Sequence, residues 1–170
     1  QPALIYKEMR QAWDYGVRKL WILNAGDIKP AEYGIEFFLD MAWNINSICP
    51  NTISEHMTQW LNREFGKSLA GPLTKVFEEY FHLAGIRKPE FMGWSKVQEY
   101  QKAKRKGGMT EVQDSEFNPF MFGDELQSRV DCYETMVQSV LACAGQVPLS
   151  RKDAYFELVQ YPVLAASAMN

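Results

Sequence analysis

The chain has 170 residues, 46% apolar and 14% aromatic, with a formal charge of −3 at pH 7. That is enough apolar material for one well-packed core, or for one domain plus part of another. The negative balance argues against nucleic acid as the main partner, because phosphate binding needs clustered cations. No apolar run approaches the roughly 20 residues of a membrane span.

Residues 4 to 18 read as the first helix. Ile5, Met9, Ala12, Trp13, Gly16 and Val17 recur at three- and four-residue steps and form one apolar stripe. Gln1 opens directly into this helical pattern, without an initiating Met or a signal peptide, which predicts a segment of a longer protein. Leu20-Trp21-Ile22-Leu23 then form an uninterrupted apolar run that ends in Asn24-Ala25-Gly26-Asp27. Such a run, bounded by a turn, predicts a strand over 20–24 buried on both faces, as in parallel sheets sheathed by helices. Ligands in those folds bind just past the carboxyl ends of strands. Asn24, Asp27 and Lys29 would sit at that place, bringing an amide, a carboxylate and a cation together.

Pro30 is expected in the first turn of the next helix, where its missing N–H costs nothing. Glu32 falls in the same turn, where the helix dipole favours a carboxylate. That helix continues through Ile35, Phe38, Leu39, Ala42 and Trp43 and stops near Asn46 to Pro50. The opening is therefore one helix–strand–helix slice, and no further strand is predicted.

Asn51-Thr52 can cap a helix carrying Met57, Trp60, Leu61 and Phe65, closed by Gly66. Ser68 can cap the next, which ends at Gly85. A short helix over Ser95–Lys106 and a Gly- and Phe-rich loop over 107–123 follow. The basic cluster Lys102, Lys104, Arg105 and Lys106 reads as a frayed, solvated helix end. Asp124 to Ala144 is a long helix, and Ala154 to Met169 is the last, kinked or divided at Pro162. Apolar stripes backed by Glu, Lys and Gln predict antiparallel helices joined by short loops. The fold class is thus mainly α, with a domain boundary near 46–51.

Cys132 and Cys143 lie eleven residues apart on one predicted helix. Their axial separation of roughly 16 Å exceeds the roughly 7 Å that a disulfide allows between Cα atoms, so both are core thiols. Cys49 stands alone beside Pro50. No metal site is expected: Cys-x-x-Cys is absent and His56 and His82 are the only histidines. His56 reads as a surface residue, or as a sugar contact if its helix approaches the strand ends. Arg87, Lys88 and Glu90 form a charged group that reads as a structural brace. Trp13, Trp21, Trp43 and Trp60 fall in apolar stripes and are assigned to the core. Trp94 and the loop with Phe117, Phe120 and Phe122 are less periodic and read as loop anchors.

The run from Asn24 through Glu32, followed by Glu36-Phe37-Phe38-Leu39-Asp40-Met41-Ala42-Trp43, resembles glycoside hydrolase family 115, the xylan α-1,2-glucuronidases. Tyr15 to Trp21, Arg87-Lys88-Pro89-Glu90 and Asp153 to Val163 carry the same resemblance, in order, to the end of the chain. Ala25 stands where the family more often has Val, and Gly34 where Pro is common; neither change removes a polar group. The resemblance implies a (β/α)₈ catalytic barrel followed by a helical bundle. Residues 1–46 would be the C-terminal part of the barrel and 47–170 the bundle.

The resemblance further implies an inverting hydrolase that releases glucuronic acid, or its 4-O-methyl ether, from glucuronoxylan or its oligosaccharides, without a cofactor. Inversion uses two carboxyl groups about 6.5–9.5 Å apart. The acid and base are expected on strands upstream of Gln1, so this segment alone would be inactive. The substrate-binding candidates here are Asn24, Asp27 and Lys29. Asn24 can hydrogen-bond a sugar hydroxyl or simply cap the turn. Asp27 can accept from a hydroxyl or form an Asx turn. Lys29 can meet the glucuronate carboxylate as a point charge or stay solvated at the helix start. The parent would be secreted or periplasmic, with a homodimer left open. The alternative is a non-catalytic helical module for protein or carbohydrate interaction, working through its aromatic loop.

Overall fold

The computed structural model describes residues 1–87, 96–101, 106–111, 119–120 and 123–170. The architecture is mainly helical. Helices α1 (Pro2–Asp14), α2 (Glu32–Trp43), α3 (Ile53–Phe65) and α4 (Lys67–Ile86) precede strands β1 (Lys96–Gln101) and β2 (Lys106–Glu111). Helices α5 (Glu125–Ala144), α6 (Lys152–Tyr155) and α7 (Tyr161–Met169) follow, with a π-helical turn, Phe156–Gln160, between the last two. Among the described residues no helix is long and apolar enough to cross a membrane.

Helix α1 stops at Asp14, four residues short of the expected end, because Gly16 takes φ +94°. Val17 N–H donates to Ala12 and Gly16 N–H to Trp13, which satisfies two terminal carbonyls in a Schellman pattern. Helix α1 packs on α2, which turns Tyr33, Phe37, Phe38 and Met41 into the core. Pro30 lies ahead of the helix rather than in its first turn. The Lys29–Pro30 bond is cis, Ala31 is the cap, and Glu32 occupies the first turn as expected.

Helices α3 and α4 share Gly66, at φ +90°, as the end of one and the start of the other, and they pack against each other. Ser68 therefore falls inside the first turn instead of capping it. The Thr52 hydroxyl is likewise taken elsewhere: it accepts from the Cys49 N–H at 2.9 Å, so no side chain caps α3. Met57, Trp60, Leu61 and Phe65 meet Leu69, Leu73, Val76 and Phe77 in one continuous buried cluster. Helix α4 packs on α5, and α5 on α7, which adds Tyr133, Met136, Val140, Val159 and Val163 to that cluster.

Arg129, buried on α5, closes the end of α4. Its guanidinium donates to the carbonyls of Leu83 (3.1 Å) and Arg87 (3.3 Å) and to Asn170 Oδ1 (3.0 Å). Unsatisfied carbonyls at a helix C-terminus favour a cation of this kind. Arg87 forms a two-pronged pair with buried Glu125, at 2.8 and 3.3 Å. Arg87 is therefore a brace; Lys88 and Glu90 lie outside the described residues.

Three expectations need correction. Residues 20–24 belong to no strand in this structure, and most of them are exposed: Leu20 is 70% and Ile22 76% exposed. A strand exists only through neighbours that take its backbone bonds, and none lies beside this segment among the described residues. Ser95–Lys106 is not a helix. Residues 96–101 pair antiparallel with 106–111, from Lys96 opposite Glu111 to Gln101 opposite Lys106. Gly107 and Gly108 disfavour a helix, and the paired strand supplies the backbone partners. Lys106 thus opens a strand, while Lys102, Lys104 and Arg105 lie outside the described residues. Trp43 is not core: it is 92% exposed, whereas Trp60 is buried and Trp13 and Trp21 half-buried.

The last helix is interrupted where Pro162 predicts. Proline removes a donor and crowds the carbonyl four residues back, and the chain widens into the π turn Phe156–Gln160 just before it. Tyr155, Val159 and Val163 stay fully buried through the interruption. The three cysteines are free, with Cys143 buried, Cys132 half-buried and Cys49 exposed. Trp94, Phe117 and Phe122 lie outside the described residues; Phe120 is largely exposed.

Candidate functional site

The corner that carries Asn24, Asp27 and Lys29 is anchored at its entrance by aromatic rings. Trp21 meets Trp13 edge to face (6.5 Å between centroids, 80°) and Phe38 at 5.7 Å. Its indole N–H donates to the Val17 carbonyl at 3.3 Å. The Arg18 guanidinium lies 3.9 Å over the Trp13 ring, a favourable cation–π position. Trp21 is thus the one residue of the apolar run that turns into the helices. Residues 22 to 30 are all exposed.

At its exit the corner closes with a turn, Ala31 N–H donating to Ile28 at 2.6 Å. Lys29 Nζ donates to a Glu157 carboxylate oxygen on the π turn. Asn24 and Asp27 make no side-chain hydrogen bond among the described residues. Neither lines the cavity of about 870 Å³ between α4 and α5 or that of about 350 Å³ beside Tyr33, and Lys29 lines neither. The three candidates therefore share one exposed corner, and Lys29 is the one of them tied by an ion pair to the helices.

A second polar constellation joins α2 to α3, and it was not legible as a unit. Tyr33 and Asp40 stand seven positions apart on one face of α2, and His56 of α3 sits between them. Its Nδ1 lies 3.2 Å from the Tyr33 hydroxyl and its Nε2 2.9 Å from Asp40 Oδ2. With neutral imidazole the consistent assignment has Tyr33 donating to Nδ1 and Nε2–H donating to Asp40. Burial, then the negative charges of Glu36 and Asp40, push the Tyr33 hydroxyl well above its ordinary pKa. The ring also packs on Phe37 (5.1 Å, 81°). His56 is therefore a half-buried brace rather than the expected surface residue.

One turn along, Arg63 grips Glu36 with two parallel bonds of 2.6 and 2.7 Å. This fork holds the Glu36 carboxyl below the ordinary carboxylate range. Glu32 is half-buried at the α2 start. Among the described residues no three His, Cys, Asp or Glu side chains gather as metal ligands would.

The sequence model of glycosyl hydrolase family 115 matches residues 1–91, and the chain belongs to that family. Nine chains of solved structures match significantly. One, described as a novel family GH115 4-O-methyl-alpha-glucuronidase with specificity for decorated arabinogalactans, is 44% identical with a TM-score of 0.82. The match covers 99% of this chain and 21% of that one, so the chain spans about one fifth of the length of this relative. A comparison with curated protein sequences returned no significant match.

Proposed function

We propose that this chain is a segment of a family 115 α-glucuronidase, a glycoside hydrolase that releases glucuronic or 4-O-methylglucuronic acid from a polysaccharide. The observation that carries this reading is the 44% identity to a 4-O-methyl-alpha-glucuronidase along essentially the entire chain. Residues 1–46 form the closing part of a (β/α)₈ barrel and 47–170 the antiparallel helical bundle behind it. In that setting Leu20 to Asn24 would take its place as a strand once neighbouring strands supply backbone partners. The exposure of Leu20 and Ile22 supports this.

Asn24, Asp27 and Lys29 then stand at a strand's carboxyl end, facing the sugar. Asn24 donates to or accepts from a sugar hydroxyl. Asp27 accepts from a second hydroxyl. Lys29 contributes positive charge toward the uronate carboxylate. The acid and base of an inverting reaction come from other strands of the barrel. The substrate is glucuronoxylan or a glucuronate-decorated arabinogalactan, no cofactor takes part, and the enzyme works outside the cytoplasm.

Asn24→Ala in the full-length parent tests the site. The expected result is a kcat/KM at least tenfold lower, with Tm unchanged to within about a degree because the Asn24 amide is proposed to bond the sugar and makes no side-chain hydrogen bond to the described residues. Unchanged kinetics would remove Asn24 from the site. A parent that liberates no uronic acid from either polymer would overturn the activity, and anomer-resolved NMR of the first product reads inversion directly.

A further inference from the structure

We propose that Glu157 is a positioning residue that fastens the Asn24–Lys29 corner to the core. Residues 22 to 30 are all exposed. Among the described residues, the side-chain tie from this stretch to the rest of the fold is the Lys29–Glu157 ion pair, which spans 128 positions of sequence. The two ends of that tie differ in kind. Lys29 sits on an exposed turn. Glu157 sits on the π turn, flanked by Tyr155, Val159 and Val163, all fully buried. The Tyr155 hydroxyl is further fixed to the Val140 carbonyl at 2.8 Å, and its ring meets Phe65 edge to face.

Glu157 is therefore carried by a turn anchored in the buried core, and Lys29 is held by Glu157. The π turn matters because the extra residue in its wider ring shifts the register of every later side chain relative to an unbroken helix. Single π turns of this kind recur at functional sites. Here the turn that accommodates Pro162 also carries the carboxylate that reaches the corner. Functional groups on loops need such supporting contacts to stay within a fraction of an ångström of their working positions.

The inference rests on reading the corner as part of the sugar site, and the test separates the two. In the full-length enzyme, Glu157→Gln, Lys29→Met, the double variant and Asn24→Ala are compared. The readouts are kcat/KM on a glucuronate-bearing xylo-oligosaccharide, amide exchange over 25–29, beyond the proposed strand, and Tm. Exposed pairs are weak, so Glu157→Gln should lower kcat/KM about three- to fivefold. It should speed exchange in 25–29 by a similar factor and leave Tm within a degree. In the Lys29→Met background it should add nothing further. Unchanged exchange over 25–29, or additive losses in the double variant, overturns the positioning role. A loss of activity that simply follows a fall in Tm overturns it as well. If Asn24→Ala and Lys29→Met are both kinetically silent, the sugar-site reading fails, and exchange alone decides whether Glu157 fastens the corner.

Discussion

Tyr33 and His56 meet across the α2–α3 contact, hydroxyl to Nδ1 at 3.2 Å. Asp40 holds the other side of the same ring at 2.9 Å, so two residues of one helix grip a histidine of the next. His56→Ala strands the buried Tyr33 hydroxyl and removes the ring packed on Phe37. The expected cost is about 1–3 kcal/mol, a fall of several degrees in Tm. Tyr33→Phe removes only the hydroxyl and should cost less. Thermal melts of both singles and the double check this, because coupling between the two sites makes the double less damaging than the sum.

Glu36 and Arg63 give a pH prediction. The two-pronged bond lowers the folded pKa of Glu36 below its ordinary value of 4.5. A depressed carboxylate binds fewer protons folded than unfolded near that pH. Its contribution is thus complete above about pH 4.5 and is lost as pH falls toward the folded value. Glu36→Gln should lower stability at neutral pH, where the pair is fully formed, and converge with the parent protein in acid, so that the acid limb of the stability–pH curve flattens. An unchanged acid limb would show that other carboxyls dominate it.

The contrast between these contacts and the sequence is instructive. Helices α2, α3 and α5 were legible because their apolar spacing, Pro50, Gly66 and Asp124 all agree. The division at Pro162 was legible for the same reason. The end of α1 was not, since Gly16 fits the apolar stripe as well as it fits a terminating turn. The hairpin was missed because 95–106 carries no alternating pattern and its pairing is a tertiary event. Trp43 fits the apolar spacing but is the last residue of α2, where the helix has already run past its packing partners and leaves the ring exposed. Asn24, Asp27 and Lys29 were legible as one corner. The Tyr33–His56–Asp40 brace was not, because it depends on how two helices face each other. Glu157 was not, because 128 residues separate it from its partner.

Asp124 caps α5 with its side chain, accepting from the Gln127 N–H at 3.0 Å. Asp124→Ala should cost about 1 kcal/mol, while Asp124→Asn, which keeps an acceptor, should be nearly neutral. Urea denaturation of the two variants separates capping from charge. Equal losses would point to the helix dipole instead.

Under the glucuronidase reading, the isolated 170 residues should release no uronic acid from glucuronoxylan, since the proposed acid and base lie elsewhere in the parent. A coupled uronate assay on the purified segment checks this. Measurable turnover would mean that this chain holds its own catalytic pair.

Gly66 joins α3 to α4 as a single residue at φ +90°, and a β-carbon built there would meet nothing within 4 Å. Space is therefore not what excludes a side chain at this joint; handedness is. An L-alanine would be strained by its backbone alone. D-alanine, introduced by chemical ligation, suits a positive φ and stiffens the unfolded chain, which makes a mirror-image residue the substitution expected to stabilise this helix corner.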